Sequence, residues 1–203
     1  MARDAGIAMP PTVLFPAKKG PGYFGIKRFD RSGNRRLHMH TASGLLNIDH
    51  TLPGMGYSGL LRATRSLTRR QSEVEQVFAR MAFNAFAHNR DDHTKNHSFL
   101  MGADGGWSTS PAYDVTFSSG PAGEHALDIA GEGRNPGVDH VHAVANEVGV
   151  GKKEAAAIID RVKMAVDRWP VFAMGSGVSN PMTSSIDRVL NGARTRKGKP
   201  RPP

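Results

Sequence analysis

The chain has 203 residues, with 27 Lys and Arg against 18 Asp and Glu, a formal net charge of +9, and no cysteine. The lack of cysteine excludes disulfides, thiolate zinc sites and cysteine nucleophiles and fits a reducing cytoplasm, and no apolar run reaches the roughly 18 residues of a membrane span. The length allows one domain with a sizeable core, and the charge indicates an anionic partner: nucleic acid, nucleotide phosphates or an acidic protein.

The N-terminal quarter of the chain is predicted to form short extended segments separated by turns. Its prolines at positions 10, 11 and 16 favour an extended path, and Ser-Gly-Asn at 32–34 is a turn signal. We predict the end of a helix over 1–6, strands over 12–15 and 23–29, an extended segment at 38–40 and a short helix near 42–48.

One long amphipathic helix is predicted from Arg69 to His88. Thr68 and Gln71 have the spacing of a capping box, which marks a helix start. Apolar residues then recur three and four positions apart, as expected for the buried stripe of a helix. These residues are Val74, Val77, Phe78, Met81, Ala82, Ala85 and Phe86.

A very polar segment, residues 89–96, follows this helix and precedes a predicted hairpin. We expect strands at 98–101 and 107–110, joined by a turn at Asp104-Gly105-Gly106. The hairpin leads directly to Asp114, which lies just past its second strand.

The C-terminal half is predicted to be a loop, a set of helices and a tail. Residues 116–137 are rich in Gly, Ser and Pro, which is typical of a mobile loop. Helices are predicted over 138–148, 152–169 and 183–190, the second of them ending at Pro170. A basic, proline-containing tail over 191–203 is expected to be disordered because it cannot bury a core.

Two carboxylates and one amide oxygen are predicted to meet at the mouth of the hairpin. Asp91 lies in the polar segment, Asn96 follows five positions later, and Asp114 can approach Asn96 because the hairpin returns the chain to its starting end. Phosphoryl transfer uses such a set: two oxygen ligands for magnesium, and one carboxylate that orients the attacking hydroxyl. Spacing alone leaves open a polar turn that merely caps the helix and the hairpin.

Three segments resemble motifs of the HipA-family serine/threonine kinases. Residues 89–100, Asn-Arg-Asp-Asp-His-Thr-Lys-Asn-His-Ser-Phe-Leu, are similar to the family's N-x-D-x-H-x-K-N-x-S catalytic loop. Residues 110–115, Ser-Pro-Ala-Tyr-Asp-Val, resemble its S-P-A-Y-D-[LVI] metal motif, and residues 26–31, Ile-Lys-Arg-Phe-Asp-Arg, resemble its R-F-D-R hinge. The motifs fall in the family's order, and the resemblance covers about residues 1–190.

The resemblance implies a role for each matching residue. Asp91 becomes the catalytic base, and Asn96 and Asp114 become magnesium ligands. The residues implied to bind ATP are Lys27, Arg28 and Phe29, whose backbone faces the adenine, and His93, Thr94, Lys95, Asn96 and Tyr113, which line the phosphates.

The fold that the resemblance implies is α+β, a mostly helical protein-kinase-like C-lobe with short hairpins and a remnant of the N-lobe. The expected domains are an N-lobe remnant and hinge (1–31), the C-lobe (32–190) and the basic tail (191–203). The implied activity is ATP- and Mg²⁺-dependent phosphorylation of a protein hydroxyl by a cytoplasmic toxin of a toxin–antitoxin system. The implied partners are a protein substrate and a helix-turn-helix, HipB-like antitoxin, through which DNA is contacted indirectly; no membrane partner is expected.

The family's ATP-covering features are not found in this sequence. No Gly-rich phosphate loop precedes a strand with a buried lysine before residue 27, and Lys18 and Lys19 lie in a Gly/Pro turn. Phosphates would then be held from one side only. We therefore expect weak ATP binding and little turnover by this chain alone.

Two alternatives to an active kinase stay open at the level of sequence. The first is a catalytically inactive subunit that binds an antitoxin or a separate N-lobe chain. The second is a metal-dependent hydrolase, because several potential ligands cluster within ten positions. These are His88, Asp91, Asp92, His93 and His97.

Overall fold

The computed structural model describes residues 1–48 and 55–198, and within them short antiparallel sheets accompany a bundle of helices. The strands are β1 (Thr12–Phe15), β2 (Tyr23–Ile26), β3 (Arg31–Ser32), β4 (Arg35–Arg36), β5 (His38–Thr41), β6 (Ser98–Met101) and β7 (Trp107–Thr109). The helices are α1 (Ala42–Leu45), α2 (Tyr57–Thr68), α3 (Gln71–Phe86), α4 (Val138–Val148), α5 (Lys152–Asp167), α6 (Trp169–Gly175) and α7 (Asn180–Thr195). This arrangement confirms the predicted α+β, mostly helical fold class. None of the described helices has the length and apolar character needed to cross a membrane.

Helix α3 is the centre of the core. It was predicted to have one apolar stripe, but it is buried nearly all round, since α2, α4, α5 and α7 all pack against it. Phe78, Met81 and Phe86 are each completely removed from solvent. A helix fixed on every side can deliver the polar segment that follows it to a defined place.

The predicted capping box at the start of this helix is wrong. Thr68 is the last residue of α2, and its hydroxyl donates to the carbonyl of Thr64 at 2.8 Å. The chain then reverses through Arg69, which has a left-handed φ of 56°, and α3 begins at Gln71. The helix therefore begins at Gln71 and not at Arg69, because the Thr68 hydroxyl bonds backward within the preceding helix. It ends at Phe86, two residues before the predicted end.

The three-stranded sheet has the order β5–β6–β7, with β6 in the centre and all neighbours antiparallel. The predicted hairpin is confirmed: Phe99 pairs with Thr109, and the turn closes through a hydrogen bond from Gly102 N to Gly106 O at 2.8 Å. One further bond, from Ser110 N to Ser98 O at 2.8 Å, extends the ladder towards the mouth of the hairpin.

The predicted helices α4 and α5 are present, but the helices that follow differ from prediction at their ends. Helix α5 stops at Asp167, and Pro170 lies in the first turn of α6, where a missing backbone N–H is tolerated. Helix α7 runs over Asn180–Thr195 and is longer than the predicted 183–190.

The predicted boundary of the C-terminal tail, residue 191, lies within a helix. Residues 191–195 belong to α7. Beyond it, Arg196 O accepts from Val138 N at 3.1 Å, and Gly198 N donates to Asp139 Oδ2 at 3.1 Å, so the chain is tied to the start of α4. Residues 199–203 lie outside the described part of the chain.

The N-terminal hairpin formed by β1 and β2 stands away from the core. The predicted second strand ends at Ile26, three residues before the predicted end, and residues 1–6 form a turn where the end of a helix was expected. Leu14 pairs with Phe24 and Phe15 with Tyr23, and all four side chains are exposed. Neighbouring pairs of an antiparallel hairpin point to opposite faces, so both faces of this hairpin are apolar and open.

We predict that the same substitution, Phe to Ala, has very different effects on stability in the core and in this hairpin. Phe78→Ala should lower the free energy of unfolding by about 3–5 kcal/mol, because it leaves a cavity in the centre of the core. Phe24→Ala, at a side chain that is 71% exposed, should lower it by less than about 0.5 kcal/mol. Urea unfolding of both variants measures this, and equal losses would contradict the assignment of the core.

Candidate functional site

The hairpin brings Asn96 and Asp114 to one cleft. Because Ser110 lies opposite Ser98 in the ladder, the residues just before Ser98 and just after Ser110 become neighbours. Asn96, Tyr113 and Asp114 accordingly line the same small cleft. Asn96 and Asp114 thus share one cleft, whereas Asp91, the third side chain predicted to meet there, is not among the residues that line it.

A hydrogen bond orients the Asn96 amide. Its Nδ2 donates to the backbone carbonyl of Asp91 at 2.9 Å. None of the described hydrogen bonds ends on Asn96 Oδ1, so the bond leaves that oxygen as the free acceptor of the side chain. The Asp91 carboxylate itself is about half exposed and lies 3.6 Å from His93 Nε2. Asp91 is thus joined to Asn96 through its backbone, and its carboxylate stays accessible.

Tyr113 links the catalytic-loop segment (residues 89–100) to Asp114. Its hydroxyl donates to the carbonyl of Lys95 at 2.6 Å and contacts the hydroxyl of Ser98. Burial raises the pKa of the Tyr113 hydroxyl, which therefore stays protonated as a donor at neutral pH. The next residue, Asp114, has a left-handed φ of 52°, a conformation that Asp tolerates better than most side chains. Tyr113 therefore lines the cleft and connects the segment that carries Asp114 to the catalytic-loop segment.

The predicted hinge contacts Tyr113 through one aromatic pair. The ring of Phe29 lies 5.5 Å from the ring of Tyr113. Lys27 N is already bonded to Pro11 O at 2.9 Å, and Arg28 forms a paired hydrogen bond with Asp30 at 2.7–2.8 Å. The Arg28 side chain is therefore directed at Asp30, and the Phe29 ring connects the hinge to Tyr113.

The remaining residues predicted to line phosphates are placed unequally. Lys95 is exposed, and His93 is partly exposed beside Asp91. Thr94 is 3% exposed, so its side chain is not accessible to a phosphate in this conformation. The site roles of these residues remain predictions.

A buried carboxylate, Asp92, holds the catalytic-loop segment in place. The sequence analysis missed this role and gave Asp92 only as a potential metal ligand. Asp92 Oδ2 accepts from the Tyr57 hydroxyl at 2.8 Å and pairs with His125 Nδ1 at 2.9 Å, while Oδ1 accepts from Ala126 N at 2.9 Å. Asn84 Nδ2 in turn donates to the Tyr57 hydroxyl at 2.8 Å. The donors lie 33 to 35 positions from Asp92, so no local pattern marks them.

Arg80 is a second buried ionisable residue that the sequence reasoning missed. It lies on α3, lines the same cleft and donates to the carbonyl of Ser110, at the start of the segment that carries Asp114. Burial lowers the pKa of its guanidinium to about 10, so it remains charged at neutral pH. This buried cation lines the same cleft as Asn96 and Asp114.

The donor set suits a magnesium ion better than a transition metal. Asn96 and Asp114 offer oxygen atoms, and magnesium needs few protein ligands because it keeps several waters. No group of three His, Asp or Glu side chains within residues 1–48 and 55–198 is arranged to hold a metal. Of the predicted histidine cluster, His97 is buried edge-on against Tyr57, and Asp92 is occupied by its three donors. The described residues therefore give the hydrolase alternative no support.

Comparison with known proteins places the chain in a family. A model of the HipA-like C-terminal domain matches residues 1–169. The chain belongs to this family. No curated protein sequence matches it.

A solved structure shares the fold of this HipA-like domain. It is a chain of the Shewanella oneidensis MR-1 toxin–antitoxin complex of HipA, HipB and operator DNA, with a TM-score of 0.72 and 16% sequence identity. The match covers 95% of this chain and 51% of the other, so the chain spans about half the length of that protein. At this identity the likeness establishes the fold.

We predict that His97 makes the fold sensitive to acid. Burial, followed by the nearby Arg80 charge, lowers the pKa of His97 from 6.5 to about 4. As pH falls from 6.5 towards 4, the unfolded chain takes up a proton at this residue and the folded chain does not, so stability is lost in that window. The loss should reach roughly 2–3 kcal/mol at pH 4.5.

Urea unfolding at pH 7 and pH 4.5 checks this. His97→Phe keeps a ring against Tyr57 and should reduce the loss of stability between the two pH values by that amount. His38→Phe, the same substitution at an exposed position, should behave like the parent protein. An equal loss in all three proteins would contradict the assignment.

Proposed function

We propose that this HipA-like chain is the catalytic lobe of an ATP-dependent protein kinase that transfers a phosphoryl group to a serine or threonine hydroxyl. The observation that carries the proposal is that the hairpin register places Asn96 and Asp114 on one cleft while Asn96 is bonded to the backbone of Asp91. This matches the chemical demand of phosphoryl transfer: two oxygens for a magnesium ion and a separate carboxylate for the attacking hydroxyl.

Asn96 Oδ1 and the Asp114 carboxylate are the proposed magnesium ligands. The ion would supply positive charge against the phosphate oxygens. Asp91 then has the role of general base: its accessible carboxylate accepts the hydroxyl proton as the substrate oxygen bonds to the γ-phosphorus and the bond to the ADP oxygen breaks. Lys95, exposed beside Asn96, would offset the charge of the departing phosphate group.

The proposed partners follow from family membership and from the related complex. That complex contains HipB and operator DNA. We infer that this chain belongs to a cytoplasmic toxin–antitoxin system, binds a helix-turn-helix antitoxin, and contacts DNA only through that antitoxin. The net charge of +9 is compatible with nucleotide phosphates and with an acidic protein surface.

We predict that the chain alone binds Mg–ATP weakly and turns it over little, since the described cleft offers ligands from one side. Calorimetry should show binding that needs magnesium and falls by about tenfold or more in Asp114→Ala, because a charged ligand is lost. Asp91→Asn should bind as the parent does, because Asp91 is assigned to the hydroxyl. An Asp160→Ala control, at an exposed position on α5, should leave affinity unchanged.

Two results would contradict this proposal. One is nucleotide binding that is insensitive to both magnesium and Asp114→Ala. The other is robust autophosphorylation by the chain alone that survives Asp91→Ala, which would mean that another residue acts as the base.

The exposed β1–β2 hairpin favours a second candidate, a subunit that works only with a partner lobe. Tyr23 and Phe24 are 70% and 71% exposed, and Leu14 and Phe15 are more than half exposed. An isolated two-stranded hairpin is marginally stable in water, and strands that are apolar on both faces are typical of sheets covered on both sides.

The partner that fits this hairpin is a β-structured lobe with apolar strands and an acidic rim. Strands of such a lobe would extend the sheet and cover both faces of the hairpin. The hairpin is bordered by exposed Lys18, Lys19 and Lys27, which would oppose a second basic copy of this chain and attract acidic side chains.

We predict that a recombinant product of one of the genes flanking this one forms a complex through the hairpin. Phe24→Asp should abolish co-purification of the two proteins, because it places a carboxylate on the apolar face. Met174→Asp, at a similarly exposed position on α6, should retain it. Survival of the complex in Phe24→Asp, or no complex with either flanking product, would contradict the second candidate.

A further inference from the structure

The segment after the metal motif, residues 118–134, is attached to the catalytic-loop segment along its backbone. We call it the post-metal segment. Ser118 N donates to His88 O at 3.0 Å, and Arg90 N donates to Ser118 O at 3.2 Å. Further along, Ala126 N also lies 3.2 Å from Arg90 O. The two segments therefore run side by side next to Asp91.

The Arg90 guanidinium reinforces this attachment. Nη1 donates to Gly123 O and Nη2 to Arg134 O, each at 2.6 Å. The close approach requires glycine at position 120: a Cβ there would lie 2.8 Å from the Arg90 Cβ and 2.4 Å from the Glu124 carbonyl oxygen. The Arg90 guanidinium thus hydrogen-bonds to two backbone carbonyls of the post-metal segment.

Asp92 supplies the buried part of the attachment. Its carboxylate is fully buried and His125 is nearly so, with side-chain exposures of 0% and 1%. A carboxylate in that environment is stable only when donors satisfy it, and two of its three donors, His125 Nδ1 and Ala126 N, come from the post-metal segment. Releasing the segment would leave a buried charge without two of its partners.

We propose that Asp92 is a positioning residue that locks the post-metal segment onto the catalytic loop, so that the segment is ordered without phosphorylation. In many kinases the corresponding loop is ordered only when a phosphate engages arginine side chains. Here Arg90 bonds to two backbone carbonyls, and the Asp92 carboxylate supplies the negative charge that a phosphate supplies in those kinases. The assignment of this segment as the surface beside the phosphoryl-transfer site rests on the proposed function; its attachment by Asp92 does not.

Amide hydrogen exchange of the full chain, verified by mass spectrometry to carry no phosphate, tests the proposal. In the parent protein, peptides from 118–134 should be protected. In Asp92→Asn they should exchange about tenfold faster or more, because a buried donor–acceptor set is left incomplete, while peptides from α5 keep their rates. Asp160→Asn, an exposed carboxylate on α5, is the matched control and should match the parent.

A pair of substitutions at His125 decides the matter if Asp92→Asn does not fold. His125→Asn keeps an N–H donor near the position of Nδ1 and should retain most of the protection, whereas His125→Leu removes the donor and should lose it. Rescue by the asparagine distinguishes a bond to Asp92 from a simple need for bulk at position 125. Exposed Ser119→Ala should leave protection unchanged.

The proposal is overturned if the unphosphorylated parent exchanges freely over 118–134, or if His125→Leu retains full protection there. These measurements need no nucleotide. Failure here would therefore leave the magnesium-dependent binding result intact, and failure of nucleotide binding would leave the attachment intact.

Discussion

The buried carboxylate of Asp92 is the interaction on which the rest of the site depends. Desolvating a carboxylate is unfavourable by several kcal/mol, and this one is stabilised by the Tyr57 hydroxyl from α2 and by His125 and Ala126 from the post-metal segment. These donors come from two distant parts of the chain, so satisfying one buried charge fixes α2, the post-metal segment and the catalytic-loop segment relative to each other. Asp91 and Asn96 lie on either side of Asp92 in the chain, so the bonds to Asp92 also fix where these two residues lie.

The chemistry of the cleft follows from two rigid elements that meet there. Helix α3 is buried on nearly every side, and this packing fixes the position of the catalytic-loop segment that follows it. The β6–β7 hairpin returns the chain, and Tyr113 braces Asp114 against Lys95 O. Membership of the HipA-like C-terminal domain family and the fold likeness to the Shewanella complex agree with this construction. The exposed hairpin at the other end of the hinge explains why we expect the lobe to act with a partner.

Local patterns predicted a large part of this fold, because they depend on residues close in sequence. The apolar spacing in α3 and the turn at Asp104-Gly105-Gly106 each depend on a few consecutive positions, and both are found. Thr68 was misassigned because its hydroxyl can serve the helix before it or the helix after it, and only the tertiary structure decides. The structural roles of Asp92 and Arg80 could not be found from sequence, since their partners His125 and Ser110 lie 33 and 30 positions away. Pro170 fits a helix end and a helix start equally well.

A crystal structure of the chain with magnesium and a non-hydrolysable ATP analogue at saturating concentration tests the central claim most directly. The account predicts one magnesium ion bound by Asn96 Oδ1 and the Asp114 carboxylate, each at about 2.0–2.1 Å, with the Asp91 carboxylate outside the coordination sphere and facing the terminal phosphate. An ion that binds neither of these side chains, or Asn96 and Asp114 oxygens too far apart to share it, would contradict the assignment of this cleft to phosphoryl transfer.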